Sequence, residues 1–307
     1  LKRRTNNTPL PRHMPRASAH TISMATDTKD KTPRRAAATA LVCILLCGCI
    51  LCGMTFHPQS VSHAETPEIT MIAKFSTYYG DSSENRKHNI ALAAKAVDGS
   101  VILPEDEFSF NDTVGARTEE RGYRPAYIIQ DGTFVEGVGG GVCQTSSTIY
   151  YACLRANLEI TERYAHRYVP AYIPWGMDAT VSWGGPDYKF TNNSLYPIKI
   201  VTIYENNYLT VRILGTNVDG TYVKMSNEVL SKTPWETIYQ EDPTMAPGSP
   251  DVVKVTPYTG YKVNSYQTIY DKDGKVIDSH FEASSNYKVR NKVILQAPAA
   301  QTGSGTA

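Results

Sequence analysis

The stretch from Gly137 to Thr148, GVGGGVCQTSST, decides how the centre of this chain folds. A glycine-rich loop leads directly into Cys143, and apolar residues then recur at spacings of three and four, which predicts a helix that stops near Asn157. A thiol at a helix N-terminus faces unpaired backbone N–H groups and the positive end of the helix dipole, and both favour the thiolate. We therefore expect Cys143 to be a reactive thiol.

The residues around Cys143 also suit a bound group. Glycines allow the backbone to approach a ligand closely, and the N–H groups at a helix N-terminus attract anions or an oxyanion. We therefore predict a binding site that is formed by Gly139, Gly140, Gly141, Gln144, Thr145 and Ser146.

His166 and Asp178 follow Cys143 in an order that suits a nucleophile, a base and an orienting carboxylate. Imidazole titrates near neutrality, so His166 can take the thiol proton and pass it to a leaving group. The same residue types also occur without function, as a packed cysteine, a hydrogen-bonded loop histidine and a turn aspartate. The spacing leaves both interpretations open. No zinc-binding motif or phosphate-binding loop accompanies them, so no metal or cofactor is expected.

Local patterns elsewhere predict a further helix and several strands. Asp81-Ser82-Ser83-Glu84 is typical of a helix N-terminus, because a capping residue is followed by an acidic residue three positions later. Tyr196 to Gly215 predicts two alternating strands that are joined by a turn at Asn206-Asn207. Shorter strands are expected near Leu158 to Tyr164 and from Ala179 to Trp183.

The N-terminal part has the composition of a targeting segment. Residues 1–35 carry nine Lys or Arg and two Asp, which predicts a basic cytoplasmic or disordered region. Residues 36–56 contain no charged side chain, and a helix of this length is long enough to span a bilayer. Residues 57–69 resemble a polar stalk. Cleavage after Ala64 would make the apolar segment a signal peptide, and otherwise it is a permanent anchor. Initiation at Met24 would give a signal peptide of ordinary shape.

The rest of the chain divides into a larger and a smaller folded part. Residues 70–216 are predicted to form a mixed α+β domain in which the Cys143 helix packs on antiparallel strands. Residues 217–250 have the composition of a linker, 251–296 that of a small all-β module, and 297–307 that of a disordered tail. The expected fold class is therefore α+β, preceded by a membrane segment.

Charge and cysteine usage limit the possible functions. The chain after residue 35 has 22 basic and 28 acidic residues, so it has no basic patch that would favour nucleic acid. Four of the six cysteines lie within 36–56. Cys143 and Cys153 would be about 15 Å apart on one helix, which is too far for a disulfide. Two unpaired thiols are therefore expected downstream of the apolar segment.

Several of these motifs resemble the VanW family over about residues 70–216. The matching segments are Phe75-Ser76-Thr77-Tyr78-Tyr79, Phe108-Ser109-Phe110-Asn111, Gly139 to Thr148, Glu162-Arg163, His166, Gly176 and Asp178-Ala179-Thr180-Val181. The sequence departs from the family at Glu105, where Gly is usual, and at Arg167, where Ser is common. Residues 251–296 resemble the five-glycine wall domain, which implies an extended β module with an affinity for wall sugars.

The resemblance implies a protein of the Gram-positive cell envelope. The family is named for an accessory protein encoded in some vancomycin-resistance clusters, and its members are typically exported or anchored. It implies that Cys143, His166 and Asp178 belong to one motif, and that peptidoglycan or its stem peptides are the partner. Two functions stay open: a cysteine-dependent acyltransferase or amide hydrolase, and a non-catalytic wall-binding or scaffold protein that is accessory to glycopeptide resistance.

Overall fold

The described fold is mostly β. A computed structural model describes residues 68–130 and 133–299. Strands account for 43% of these residues and helices for 16%. The expected α+β class is therefore wrong. The physical reason is that helical periodicity is confined to two stretches of 14 residues, whereas alternating patterns continue through the C-terminal third and pair into sheets.

The expected membrane segment at residues 36–56 lies outside the described residues, as do residues 1–35. Within the described part, no helix is long and apolar enough to cross a membrane. The claim of a membrane segment therefore receives no support from the fold. All described residues belong to one compact unit.

Three α-helices and one short 3₁₀ helix are present among the described residues. The α-helices are α1 (Glu84–Val97), α2 (Phe110–Val114) and α3 (Val142–Arg155), and the 3₁₀ helix is Glu119–Arg121. The predicted helix is confirmed as α1, but it begins at Glu84 and its N-cap is Ser83, whose side chain accepts a hydrogen bond from the backbone N–H of Arg86.

Fifteen strands occur in the described residues. They are β1 (Thr70–Tyr78), β2 (Val101–Ile102), β3 (Glu107–Ser109), β4 (Pro125–Gln130), β5 (Thr133–Val138), β6 (Glu159–Glu162), β7 (Lys189–Thr191), β8 (Ile198–Glu205), β9 (Tyr208–Gly215), β10 (Tyr222–Thr233), β11 (Thr237–Glu241), β12 (Val252–Val255), β13 (Gly260–Tyr270), β14 (Val276–Tyr287) and β15 (Lys292–Gln296).

The first sheet has the strand order β1-β9-β8-β2, and all its neighbours are antiparallel. The predicted hairpin is confirmed as β8 and β9, with Asn206 and Asn207 both at positive φ (51° and 63°). Two residues at positive φ match the twist of the flanking strands, which is why asparagine suits both positions. A three-stranded sheet β3-β7-β6 and the hairpin β4-β5 complete this half of the fold.

The main core lies between the first sheet and helix α3. Fully buried Ile149, Tyr150 and Leu154 of α3 pack in one cluster with Ile200 of β8 and Ile213 of β9. Each such side chain contributes about 1.5–3 kcal/mol by leaving water. Because this face of α3 is anchored in the core, the N-terminal end of the helix has a fixed position.

The C-terminal strands form two further sheets, with orders β10-β13-β14 and β11-β15-β12. Strands β10 and β11 lie within residues 217–250, where the sequence suggested a linker. This C-terminal module, residues 222–296, packs directly on the first half. Gln267 donates to the Oδ1 atom of Asn157 at 2.6 Å, and Tyr261 packs on Trp175 with ring centroids 4.4 Å apart.

Glu105 adopts a backbone conformation that favours glycine. Its φ is 66°, and its N–H donates to the backbone oxygen of Asn192 at 2.8 Å, so the tight turn is held in place. A side chain in this left-handed region costs roughly 1–2 kcal/mol. This explains why glycine is usual at position 105 in the VanW family, which the sequence resembles.

We predict that Glu105→Gly stabilises the protein by up to about 1 kcal/mol, since relief of left-handed strain exceeds the entropy lost by glycine. The measurement is the urea concentration at the midpoint of unfolding. Asn157→Gly is the matched control: Asn157 is also at positive φ (57°), but asparagine tolerates that region, so the gain is smaller. A lower midpoint for Glu105→Gly than for the parent protein contradicts this account.

Candidate active site

The glycine loop places Cys143 in the first turn of α3 and fixes the backbone conformation there. Gly139 and Gly141 have positive φ (87° and 108°), and Gly141 is the residue that caps the helix. A side chain on Gly140 would come within 2.8 Å of the backbone oxygens of Ala126 and Tyr127 on β4. The loop therefore requires glycine at all three positions, two for backbone conformation and one for close packing.

The sulfur of Cys143 is partly buried against the segment that follows Asp178. It lies 3.3 Å from the oxygen and 3.5 Å from the nitrogen of Val181, and 3.6 Å from the hydroxyl of Thr180. A strand was predicted from Ala179 to Trp183, but the segment is irregular. The N–H groups of Ala179 and Val181 donate to side chains of α3, so every second backbone donor of this segment is used by the helix and is not available to a neighbouring strand.

The structure brings the three predicted catalytic residues together. Nδ1 of His166 lies 2.6 Å from Oδ2 of Asp178, and the backbone N–H of His166 donates to the same oxygen at 2.7 Å. Asp178 is fully buried. Burial would raise the pKa of the Cys143 thiol, but its interaction with the His166 side chain outweighs burial and lowers this pKa.

Charge interactions set the protonation states of the triad. Burial alone would raise the pKa of the Asp178 carboxyl, but the hydrogen bond to His166 and nearby positive charges lower it to about 2. The carboxylate is therefore ionised and accepts a hydrogen bond, so Nδ1 of His166 is the donor. This assignment leaves Nε2 of His166 to face the sulfur.

Cys143 and His166 form an ion pair near neutral pH. Burial would raise the pKa of the thiol, yet the hydrogen bond and charge of His166 outweigh it and lower this pKa to about 7. Burial would lower the pKa of His166, but Asp178 and Cys143 raise it to about 9. Between these two values the pair is a thiolate and an imidazolium, which is the reactive form for nucleophilic attack.

Two residues outside the predicted triad complete the environment of Asp178. Oδ1 of Asp178 accepts from Nη2 of Arg163 at 3.1 Å and from the hydroxyl of Tyr287, which also accepts from the N–H of Gly176 at 2.8 Å. Arg163 belongs to the Glu162-Arg163 motif that the sequence singled out without a role. Tyr287 is on β14, 109 residues from Asp178, so no local pattern could have indicated it.

Comparison with known proteins connects this site to a family. Residues 85–214 match the family model described as VanW like protein. Residues 85–214 are a VanW-like domain. The resemblance seen in the sequence is confirmed, and Cys143, His166 and Asp178 all lie within the match. Tyr287 lies outside the VanW-like domain but donates to its buried carboxylate.

Two curated relatives are similar to part of this chain. The chain is 41% identical over 184 residues to the uncharacterized protein YoaR of Bacillus subtilis (strain 168), covering 52% of this chain and 61% of that protein. It is 27% identical over 196 residues to the vancomycin B-type resistance protein VanW of Enterococcus faecalis (strain ATCC 700802 / V583), covering 58% of this chain and 70% of that protein. The chain thus matches less than two thirds of the length of the Bacillus relative.

Two solved structures are similar to part of the chain. The IgA1 protease G5 domain covers 27% of this chain and 96% of that structure, with a TM-score of 0.19 and 16% identity. HP0197-G5 covers 25% of this chain and 93% of that structure, with a TM-score of 0.15 and 20% identity.

The other residues predicted for binding divide into two groups. Gly139, Gly140 and Gly141 form the loop beside Cys143 in the VanW-like domain, as described above. The side chains of Gln144, Thr145 and Ser146 are instead buried and hydrogen-bonded within the protein, to Tyr78, Ile90 and Ala179 among others. These three side chains hold the start of α3 in place and do not face solvent.

One backbone donor at the helix start is free to bind a developing oxyanion. The N–H groups of Val142 and Gln144 donate to Gly139 and Gly141 at 3.2 and 2.9 Å. Between them, the N–H of Cys143 has no backbone acceptor in the part of the chain that the structure describes. A donor on the nucleophilic residue itself is well placed for this role.

Nowhere in residues 68–130 and 133–299 do three His, Cys, Asp or Glu residues form a group that could hold a metal ion.

We predict that iodoacetamide alkylates Cys143 with a pH inflection near 7, where free thiols show one near about 8.5. The thiolate forms above this pH because His166 holds the proton. Peptide mass mapping assigns the labelled cysteine. Cys153 is the internal control, since it is fully buried and burial raises its pKa to about 12, so it stays unlabelled in the folded protein. In His166→Ala the inflection moves above pH 8.5, and equal inflections in the two proteins contradict the ion pair.

We predict that Tyr287→Phe destabilises the protein by about 1–3 kcal/mol, because the N–H of Gly176 and an oxygen of Asp178 both lose a partner. It also moves the Cys143 alkylation inflection to higher pH, because Asp178 then holds His166 less firmly. Tyr266→Phe is the matched control on the same sheet, since its hydroxyl bonds an exposed Glu228. If the pH dependence of Cys143 alkylation is the same in Tyr287→Phe as in the parent protein, Tyr287 contributes only to packing and does not position His166.

Proposed function

We propose that the VanW-like domain is a cysteine-dependent acyl-transfer enzyme that cleaves or remakes amide bonds in cell-wall peptides. The observation that supports this most is the 2.6 Å hydrogen bond between buried Asp178 and His166, together with the interaction by which His166 lowers the pKa of the Cys143 thiol. A buried carboxylate that orients a histidine toward a low-pKa thiol is the arrangement that acyl transfer needs.

The chemical steps follow from the protonation states. The Cys143 thiolate attacks the amide carbonyl carbon, and the new C–S bond places negative charge on the oxygen, where the N–H of Cys143 stabilises it. His166, as imidazolium, donates its proton to the amide nitrogen, the C–N bond breaks, and the amine leaves. The resulting thioester then reacts with water or with a second amine, whose proton returns to His166 as the sulfur leaves.

Three lines of support favour the cell wall as the place of action. The Enterococcus relative is named for vancomycin resistance, and the sequence resemblance implies an envelope protein. The basic region and the apolar segment at 36–56 fit export with the N-terminus in the cytoplasm. Peptidoglycan stem peptides are then the proposed substrate, met at the outer face of the membrane by an anchored or a released protein.

A non-catalytic role in binding the wall is the competing function, and one experiment separates the two. The protein is incubated with stem peptides from Gram-positive peptidoglycan, and products are followed by mass spectrometry. We expect cleaved or exchanged peptides, loss of product in Cys143→Ala, and a reduction of about 10²–10⁴-fold in His166→Ala. Cys153→Ala, in the core of the same helix, keeps its activity.

The result that would overturn catalysis is equally clear. If Cys143→Ala binds sacculi as the parent protein does and no peptide is altered by either, the wall-binding function is correct. Thermal unfolding of each variant excludes loss of folding as the cause. A thioester mass on the Cys143 peptide, trapped by acid quench, is the positive signature of the proposed mechanism.

A further inference from the structure

Two arginines beside the glycine loop have no carboxylate partner. Within residues 68–130 and 133–299, no Asp or Glu oxygen lies within 4.0 Å of the guanidinium of Arg86 or Arg117. Arg163 in the same domain shows the contrast, because its Nη2 lies 3.1 Å from Oδ1 of Asp178. The site therefore neutralises one arginine with an internal carboxylate and leaves two cations unneutralised.

Arg86 on α1 is held against the residues on either side of Cys143. A side chain on Gly141 would come within 2.9 Å of Cγ of Arg86. Nη1 of Arg86 donates to Oε1 of Gln144 at 2.8 Å and to the hydroxyl of Ser82 at 2.9 Å. Its Nε and Nη2 have no acceptor among the described residues, so the fixed guanidinium retains donors for a ligand.

Arg117 is held against the first glycine of the same loop. A side chain on Gly139 would come within 2.8 Å of Cβ of Arg117. Nη1 of Arg117 donates to the oxygen of Gly115 at 3.0 Å, whereas its Nη2 is buried and has no hydrogen-bond partner in the described chain. The guanidinium lies over the ring of Phe110, 5.5 Å from its centroid, so the Nη2 donor of Arg117 is without a hydrogen-bond acceptor and is available to one that a ligand brings.

Both guanidiniums interact electrostatically with the thiol position. Burial lowers the pKa of Arg86 and Arg117, and the negative charge of Cys143 partly opposes that effect in each. The same interaction favours the thiolate, but the main causes of the lowered pKa of Cys143 are His166 and the backbone of Val181. Their positive charge is therefore available for a second anion that lies next to the sulfur.

We infer that Arg86 and Arg117 form a carboxylate-binding subsite beside Cys143, which selects substrates with a free carboxylate adjacent to the amide under attack. Guanidinium groups match the planar carboxylate with paired N–H donors, and such charge-assisted bonds are stronger than neutral ones. The inference rests on the proposed acyl transfer and specifies its substrate class as peptides that end, or branch, at a carboxylate-bearing residue.

The subsite also assigns the two halves of the substrate. The thiolate forms a C–S bond with the carbonyl carbon, and the amine that leaves with the proton of His166 belongs to the residue held by Arg86 and Arg117. The released product is then an amino acid or peptide with its own free carboxylate. The acyl half remains on Cys143 until water or another amine displaces the sulfur.

Iodoacetate and iodoacetamide test this subsite without knowledge of the natural substrate. Both transfer a two-carbon group to the thiolate with loss of iodide, but only iodoacetate carries a carboxylate. We expect iodoacetate to alkylate Cys143 at least about tenfold faster than iodoacetamide at pH 7, with a rate that saturates and that acetate inhibits. A tenfold ratio corresponds to about 1.4 kcal/mol.

The ratio of the two rates is measured within each variant, so any change in thiol reactivity cancels. Arg86→Gln and Arg117→Gln should each reduce the ratio toward that of a free thiol. Arg155→Gln, which removes an equal charge at the other end of α3, should leave the ratio unchanged. This control separates local binding from the effect of overall charge.

Every outcome decides one of the two proposals. Fast iodoacetamide labelling with slower, non-saturating iodoacetate labelling overturns the subsite and leaves the activated thiol intact. Iodoacetamide labelling no faster than that of a free thiol overturns the activated thiol. If the thiol is not activated but iodoacetate still labels Cys143 faster than iodoacetamide does, with a rate that saturates, the subsite is established as a binding site without catalysis. Equal ratios in Arg86→Gln, Arg117→Gln and the parent protein refute the subsite.

Discussion

Asp178 carries a buried negative charge, and the candidate site depends on how that charge is satisfied. Four donors share the carboxylate: the backbone and ring nitrogens of His166, the guanidinium of Arg163 and the hydroxyl of Tyr287. An ionised carboxylate without partners would be very costly to bury. Because these partners come from separate parts of the chain, Asp178 also holds their elements in register. The orientation of His166 toward the thiol is one result of this arrangement.

The glycine loop supplies the second constraint, which is the position of the sulfur. Gly140 packs against the backbone of β4 with no space for a side chain, and Gly141 begins the helix in a left-handed conformation. The core face of α3 then fixes the helix on the first sheet. A nucleophile on a rigid loop and a base on a rigid carboxylate can meet with little reorganisation, which is what electrostatic preorganisation requires.

The sequence predicts the candidate site better than it predicts the fold class. Local signals were sufficient where the physics is local: Ser83 caps α1, Asn206 and Asn207 form the hairpin turn, and a glycine loop precedes the helix that carries Cys143. The strand expected at Ala179–Trp183 does not form, because its backbone bonds to α3, a tertiary effect that no window of sequence contains. Strands β10 and β11 were read as linker for the same reason, since their alternation is weak and their partners are distant in the sequence.

The Tyr287 contact has a consequence for when the site becomes active. Strand β14 ends at Tyr287, so the donor that completes the environment of Asp178 is synthesised 144 residues after the cysteine itself. A nascent chain that has produced Cys143, His166 and Asp178 still lacks one of the four donors on that carboxylate. Proper alignment of the histidine therefore waits for the C-terminal sheets to pair and dock. The order of synthesis thus delays full reactivity of the thiol until β14 has been made.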